Sequence, residues 1–411
     1  MVNDKLNYNI PNDWEVRHLD DFGPIVSGGT PSTAVSEYWN GPIAWCTPTD
    51  ITRTDGITIS ETEKSITDAG LKNSAAVVLP TGSLLLCTRA TIGDSKINNI
   101  PMATNQGFKN IIPYKETCIK YLYYLLQTKK KEMLEKATAS TFAEISKSAL
   151  CEIALQTPKR TEQEKIAEVL SDIDSLIEKL KKIITKKKNI RQGTMQILVT
   201  GKKRLKGFSK DWIKINLSKS SRLKARIGWQ GLTTAEYLDE GYSYLITGTD
   251  FKDGQIYWNG CHFVDYDRYA QDPNIQVSNG DLLLTKDGTI GKVAYVTGLK
   301  RPATLNSGVF LVKPVTDAYT AHFMFYVLES SVFKDFLQQL SAGSTINHLY
   351  QKDLVKFELF VPPTKEEQEA IAGILFDMDS EIHKLEEKLS KIQKVKQGMM
   401  EELLTGKVRL V

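Results

Sequence analysis

Two stretches of the chain repeat apolar positions at alternating steps of three and four. The first carries Ile166, Leu170, Ile173, Ile177, Leu180 and Ile184; the second carries Ile371, Leu375, Met378, Ile382, Leu385, Leu389 and Ile392. That spacing puts one stripe along a helix and is the seam of a coiled coil. A proline opens each stretch, at Pro158 and Pro363, and carboxylates follow in the first turn at Thr161–Glu164 and Glu366–Glu369, where they favour the helix dipole. Each helix can run about 40 residues, or roughly 60 Å. Such a helix cannot bury its stripe on itself. The simplest solution packs the two stripes on each other; the alternative packs each on its own neighbouring domain. Gly193 and Gly398 fall inside the two patterns, where glycine costs about 1 kcal/mol relative to alanine. They mark a close helix approach, a break, or a partner contact.

The two stretches are copies of each other. "PKRTEQEKIAEVLSDIDSLIEKL" (158–180) aligns on "PTKEEQEAIAGILFDMDSEIHKL" (363–385), and the same offset of 205 residues runs without a gap to "TGKKRL" (200–205) and "TGKVRL" (405–410). Weaker echoes precede each helix. "GSLLLCTRATIG" (82–93) resembles "GDLLLTKDGTIG" (280–291), "TNQG" (104–107) resembles "LNSG" (305–308), and "ASTFAEIS" (139–146) parallels "GSTINHLY" (343–350). "TDI" (49–51) echoes "TDF" (249–251), and Asp13-Trp14 echoes Asp211-Trp212. The chain therefore reads as one unit written twice, a globular domain and then a long helix. The expected boundaries are 1–157, 158–206, 207–362 and 363–411. The globular parts are expected to be α/β (α+β). "AAVVLP", "GSLLLCTR" and "KNIIPY" read as short strands, and 119–134 and 321–340 as helices.

Composition narrows the class. With 41% hydrophobic and 25% charged residues this is an ordinary globular composition. It has no apolar run long enough for a membrane span and no signal-peptide pattern, so a cytoplasmic protein is expected. The five cysteines (Cys46, Cys87, Cys118, Cys151, Cys261) are scattered, and the five histidines have no metal-like spacing. The net charge of +4 decides little, but over 158–206 basic residues outnumber acids by about two to one. Lys186–Lys188 read as a solvated helix face, or alternatively as a phosphate-contacting strip.

No catalytic motif is present. "TGKK" (200–203) is not a phosphate loop, no H-E-x-x-H exists, and no Gly-rich strand–helix fingerprint for a dinucleotide or S-adenosylmethionine is found. The Asn/Asp-Pro-Pro-aromatic tetrapeptide of amino-methyltransferases is missing, since Val361 precedes Pro362-Pro363. Asp281 and Lys286 do not make a nuclease cluster. A binding protein is favoured over an enzyme with unfamiliar motifs and over a bare coiled-coil scaffold.

The duplicated "E-Q-x-x-I-A-x-x-L-x-D-x-D" helix ending in "Q-G-x-M…T-G-K-x-R-L" resembles the specificity subunit of type I restriction-modification systems. "IPNDWEVRHLDDF", "GDLLLTKDGTIGKVAYV" and "ARIGWQGLT" are similar to parts of that family's target recognition domains. The resemblance implies two target recognition domains joined by two long antiparallel helices that form a coiled-coil spacer with a pseudo-twofold relation. It implies double-stranded DNA as ligand, two modification (methyltransferase) subunits and motor-nuclease restriction subunits as partners, and no membrane. S-adenosylmethionine, ATP and Mg are then expected only in the partner subunits, and this chain is expected to be a non-catalytic reader of a bipartite, asymmetric site.

Base readout needs donors and acceptors that reach base edges. The candidates in the first half are Gly29, Thr30, Thr49, Arg89, Thr91, Asn105, Gln106, Ser140 and Thr141. In the second half they are Lys224, Arg226, Trp229, Gln230, Thr249, Lys286, Asp287, Thr289, Asn306, Ser307, Ser344, Thr345, Asn347 and His348. Each is also a residue type that serves ordinary turns and caps, and Trp229 equally suits a core or lid.

Overall fold

The computed structural model describes residues 11–137, 143–341 and 348–410. The chain divides into two compact units. One comprises Met1–Ile184 with Leu385–Val411, and the other Thr185–Lys384. The helix periodicity is realised as two uninterrupted α-helices, a central one at Arg160–Val199 and a C-terminal one at Lys365–Leu403.

The two units repeat one topology. In the first, a five-stranded sheet has the order Ile25–Ser27, Phe108–Ile111, Leu84–Cys87, Ser95–Asn98, Thr58–Ile59. Beside it lie a three-stranded sheet (Lys64–Ile66, Trp39–Cys46, Met102–Thr104) and the pair Glu15–Arg17 with Leu155–Thr157. In the second unit the counterparts are a four-stranded sheet (Ser221–Lys224, Val309–Pro314, Leu282–Thr285, Val293–Tyr295) and a three-stranded one (His262–Val264, Ser243–Ile246, Ala303–Leu305). The pair Ile213–Asn216 with Glu358–Val361 completes the correspondence. Both three-stranded sheets join an antiparallel partner and a parallel one to a central strand. The expected strand over Ala75–Pro80 does not form; only Leu79 bridges, to Met102. The expected helices over 119–134 and 321–340 are each split in two, at Ile119–Thr128 with Lys130–Glu135 and at Ala321–Glu329 with Ser331–Ser341.

Each core is closed by helix segments from both copies of the repeat. In the first unit Ile166 and Leu170 of the central helix, Leu403 of the C-terminal one and Leu404 just beyond it join the sheet and Tyr121–Leu126. In the second, Met195, Leu198 and Val199 join Ile371, Ala372 and Leu375. Ile177, Leu180, Ile184 and Ile382 are buried, and Ile173, Met378, Leu385 and Leu389 are partly buried.

Ion pairs give the helix direction inside each unit. Lys187 meets Glu381 at 2.8 Å, Arg191 grips Asp379 with two bonds of 2.8 and 3.1 Å, and Arg204 grips Glu367 at 2.7 and 2.8 Å. Numbers rise on one segment as they fall on the other, so the segments run antiparallel. The first unit shows the same order, with Lys396–Asp174 at 2.7 Å and Arg409–Glu162 at 2.8 Å.

These contacts account for the most repeated residues of the sequence. Gly201 and Gly406 end their helices with left-handed φ of 69° and 73°, a position where glycine is free of Cβ strain. The reversed chain brings Arg204 and Arg409, three residues on, to Glu367 and Glu162. Those two carboxylates are 1% and 3% exposed. They are not the solvated dipole partners that a first-turn position predicts. Arg409 also binds Asp13 at 2.7 and 2.9 Å and lies over Trp14, as Arg204 lies over Trp212. The guanidinium of Arg409 holds both Glu162 and Asp13 below the usual carboxylate range. The neighbouring Gln163 and Gln368 donate to Pro158 and Pro362 carbonyls at 2.9 Å. The second Asp of the D-x-D signature, Asp174 or Asp379, accepts from a buried tyrosine, Tyr124 at 2.7 Å or Tyr326 at 3.0 Å. Gly193 and Gly398 neither break their helices nor mark a close approach. Beyond the helix's own local backbone, no atom of the described residues lies within 4 Å of where their Cβ would stand.

Candidate nucleic-acid interface

One loop junction is built twice. In the first unit the strand Leu84–Cys87 runs into Thr88, whose N–H donates to the Gly107 carbonyl at 2.7 Å and whose carbonyl accepts from Ile145 at 3.1 Å. In the second, Lys286 does both, with Gly308 at 2.9 Å and Leu349 at 2.8 Å. The following turn closes with Gly93 N–H on the Cys87 carbonyl and Gly291 N–H on the Thr285 carbonyl. The turn needs a left-handed residue. The second unit supplies Gly288 at φ 67°, the first Ala90 at φ 59°. So the echo between 82–93 and 280–291 reflects a shared backbone.

A second element is duplicated as closely. Thr47 and Thr247 each begin a helical turn whose third residue, Asp50 or Asp250, returns a carboxylate oxygen to the threonine N–H and hydroxyl, all at 2.7–2.8 Å. This is a capping box with Asp in the usual Glu place. Burial pushes the Asp250 carboxyl up, against those bonds. Thr49 and Thr249 stand exposed on these turns.

The heads carried by the shared scaffold differ. Arg89 forms a bridge to Glu144 and pairs with it at 2.6 Å; Lys109 lies 3.9 Å from the same carboxylate. The structural counterparts are Asp287 and His348, which also bridge and pair. The cross-link from junction to following segment is kept while its polarity is reversed. In the first unit Thr49, Arg89, Asn105 and Gln106 line one open cavity of about 500 Å³, with Glu63 and Lys64 on its rim. Glu63, Lys64, Lys109 and Glu144 were not among the sequence candidates. Glu144 was within reach, because the register of 139–146 on 343–350 sets it opposite His348.

The remaining candidates separate by burial and partners. Gly29 is buried, and its Cβ would fall 2.3 Å from the Ala75–Ala76 backbone, so this close approach requires glycine. Thr30 is exposed and its hydroxyl donates to Oε1 of Gln106. Asn105 Oδ1 accepts from Gly107 N–H at 2.9 Å. The Thr91 hydroxyl is buried without a partner among the described residues. Arg226 is 2% exposed, and its guanidinium donates to the Leu305 carbonyl at 2.9 Å and the Thr304 hydroxyl at 3.2 Å. It braces the strand Ala303–Leu305. Gln230 is likewise buried. Asn306 is occupied at both ends, donating to the Tyr237 hydroxyl at 2.8 Å and accepting from Ser307 N–H at 2.7 Å. Ser307 points its hydroxyl at the same Asn306 oxygen, 3.4 Å away. Lys224 and Thr289 are exposed, and Lys286 lies over the Phe310 ring. Trp229 belongs to the short turn Gly228–Gln230. Ser140, Thr141, Ser344, Thr345 and Asn347 lie outside the described residues.

Among the described residues no cluster of His, Cys, Asp or Glu could hold a metal, and no helix is long and apolar enough to cross a membrane. Residues 11–192 and 230–394 match the family described as Type I restriction modification DNA specificity domain. The MjaIX type I restriction enzyme specificity subunit of Methanocaldococcus jannaschii is 43% identical over 175 residues, which are 42% of this chain and 40% of that protein. The MjaVIII specificity subunit of the same organism is 26% identical over 98% of this chain and 94% of its own length. A crystal structure of the S subunit of a type I restriction-modification system from M. genitalium superposes with a TM-score of 0.61 at 17% identity, covering 97% of each chain. That likeness is one of fold.

Proposed function

The chain belongs to the family of type I restriction modification DNA specificity domains, and from that premise we propose that it is the sequence-reading subunit of a type I restriction-modification complex. Each globular domain reads one half of an asymmetric, bipartite double-stranded DNA site. The paired helices set the gap and dock two modification subunits. The chain performs no chemistry; S-adenosylmethionine, ATP and Mg belong to the modification and motor-nuclease subunits.

The observation that carries this reading is the twice-built junction with unlike heads. Arg89 and Asp287 occupy one structural position, as do Gln106 and Ser307. A guanidinium offers only donors and suits guanine, whereas a carboxylate accepts and suits the cytosine amino group. One backbone with different heads reads two different short sequences. The experiment replaces residues 207–362 with the matching domain of another family member, assembles the complex and maps the modified sites. One half-site is expected to change while the other half and methylation persist. A change in both halves would show that readout is not modular.

A further inference from the structure

The first unit's cavity contains one side chain placed to recognise a particular base. Gln106 is exposed at its rim, and its Oε1 already accepts the Thr30 hydroxyl. That bond holds the amide with its oxygen towards Thr30. Nε2 has no partner among the described residues, and Oε1 keeps a second lone pair. An amide held this way offers a donor and an acceptor side by side, the pattern complementary to N7 and the 6-amino group of adenine in the major groove. The fixed rotamer removes part of the ordering cost of binding. Its neighbours are less available. Arg89 is paired with Glu144, and Asn105 has its oxygen on Gly107 N–H. Among the described residues the second unit shows no equivalent amide. Ser307 takes the place of Gln106, and the amide of Asn306 is engaged by Tyr237 and Ser307.

We propose that Gln106, oriented by Thr30, reads an adenine in one half of the recognised site. Gln106 is the specificity-determining residue and Thr30 its positioning residue. The inference rests on the DNA-reading function proposed above.

The test uses the full chain assembled with its modification subunits. Modified sites are mapped genome-wide, and methylation is measured on duplexes varied one base pair at a time. Gln106→Ala is expected to lose about 5- to 150-fold of discrimination at one position, an adenine in the parent site, with every other position unchanged. Thr30→Val is expected to relax the same position less, and Thr30→Ser to retain it. Unchanged discrimination in Gln106→Ala would overturn the proposal. So would a uniform loss at all sites, a relaxed position that is not adenine, or failure of this surface variant to fold, since each assigns Gln106 another role. Exchange of residues 11–157 for the domain of a relative separates the two levels. If the exchange alters one half-site while Gln106→Ala alters none, only this assignment fails. If the exchange alters nothing, the reading beneath it fails.

Discussion

Arg226 and Ala90 show how single residues near a reading surface serve the fold. Arg226 is buried with only neutral acceptors, so truncation removes a braced cation and leaves the Leu305 carbonyl and Thr304 hydroxyl without their donor. Arg226→Ala is expected to destabilise the second unit by about 2–4 kcal/mol. Denaturant midpoints measure this, and a variant of unchanged stability with altered site preference would restore Arg226 to the readers. Ala90 holds a left-handed φ where its counterpart is Gly288. Ala90→Gly should therefore stabilise the first unit, by up to about 1 kcal/mol once glycine's own entropy is counted. A fall in melting temperature would mean that the Ala90 methyl group is packed and not merely strained.

Each arginine–glutamate clamp belongs to the scale of the element, since it ties the end of one helix to the start of another. Removing Arg409 or Arg204 leaves a buried carboxylate without its partner, so the unit that holds it is expected to lose stability. The pH dependence follows from the sign of the shift. The folded pKa of Glu162 lies below its ordinary value of 4.5. The clamp's contribution is thus fully present above that value and is lost as pH falls through the folded pKa. In Arg409→Met the lowering partner is gone and burial alone acts on Glu162, raising its pKa. The stability gap between the parent and Arg409→Met should therefore be flat above that raised value and shrink as pH falls from it to the parent's folded pKa, which lies below 4.5; a gap that acid leaves unchanged would show that Glu162 is not the group the clamp serves. Gly193→Ala and Gly398→Ala face open space and should each stabilise by about 1 kcal/mol. If they raise the melting temperature of the chain but block assembly, the glycines are partner contacts. The helices were legible because a stripe repeated over five turns has one geometric reading. The clamps were not, because Glu162 and Arg409 lie 247 residues apart and a first-turn glutamate already has an ordinary local explanation. Among the site candidates, sequence brought Thr49, Arg89, Asn105 and Gln106 to notice for their residue type and recurrence. It could not separate them from Gly29, Arg226 or Gln230, since burial depends on strands that pair across the whole domain.

At the scale of the whole molecule, the proposed ruler is helix length. Four residues inserted after Leu180, balanced by four after Leu389 on the antiparallel segment of the same unit, add about 6 Å and keep the stripe nearly in phase. The recognised site should keep its bases and gain about two base pairs of gap. An unchanged gap with full activity would assign spacing to the partners or to DNA bending. The clamp has a further consequence, in time. Thr185–Lys384 is one continuous stretch, whereas the unit made from Met1–Ile184 lacks its closing piece until Leu385–Val411 exists. The closing piece is translated after Thr185–Lys384, so the unit begun first can finish folding only after the other has been made. Until then its core lacks Leu403 and Leu404, and Glu162 has no arginine. A stop codon shortly after residue 384 should therefore loosen the beginning of the chain and spare the middle, which hydrogen exchange on the truncated protein can read directly.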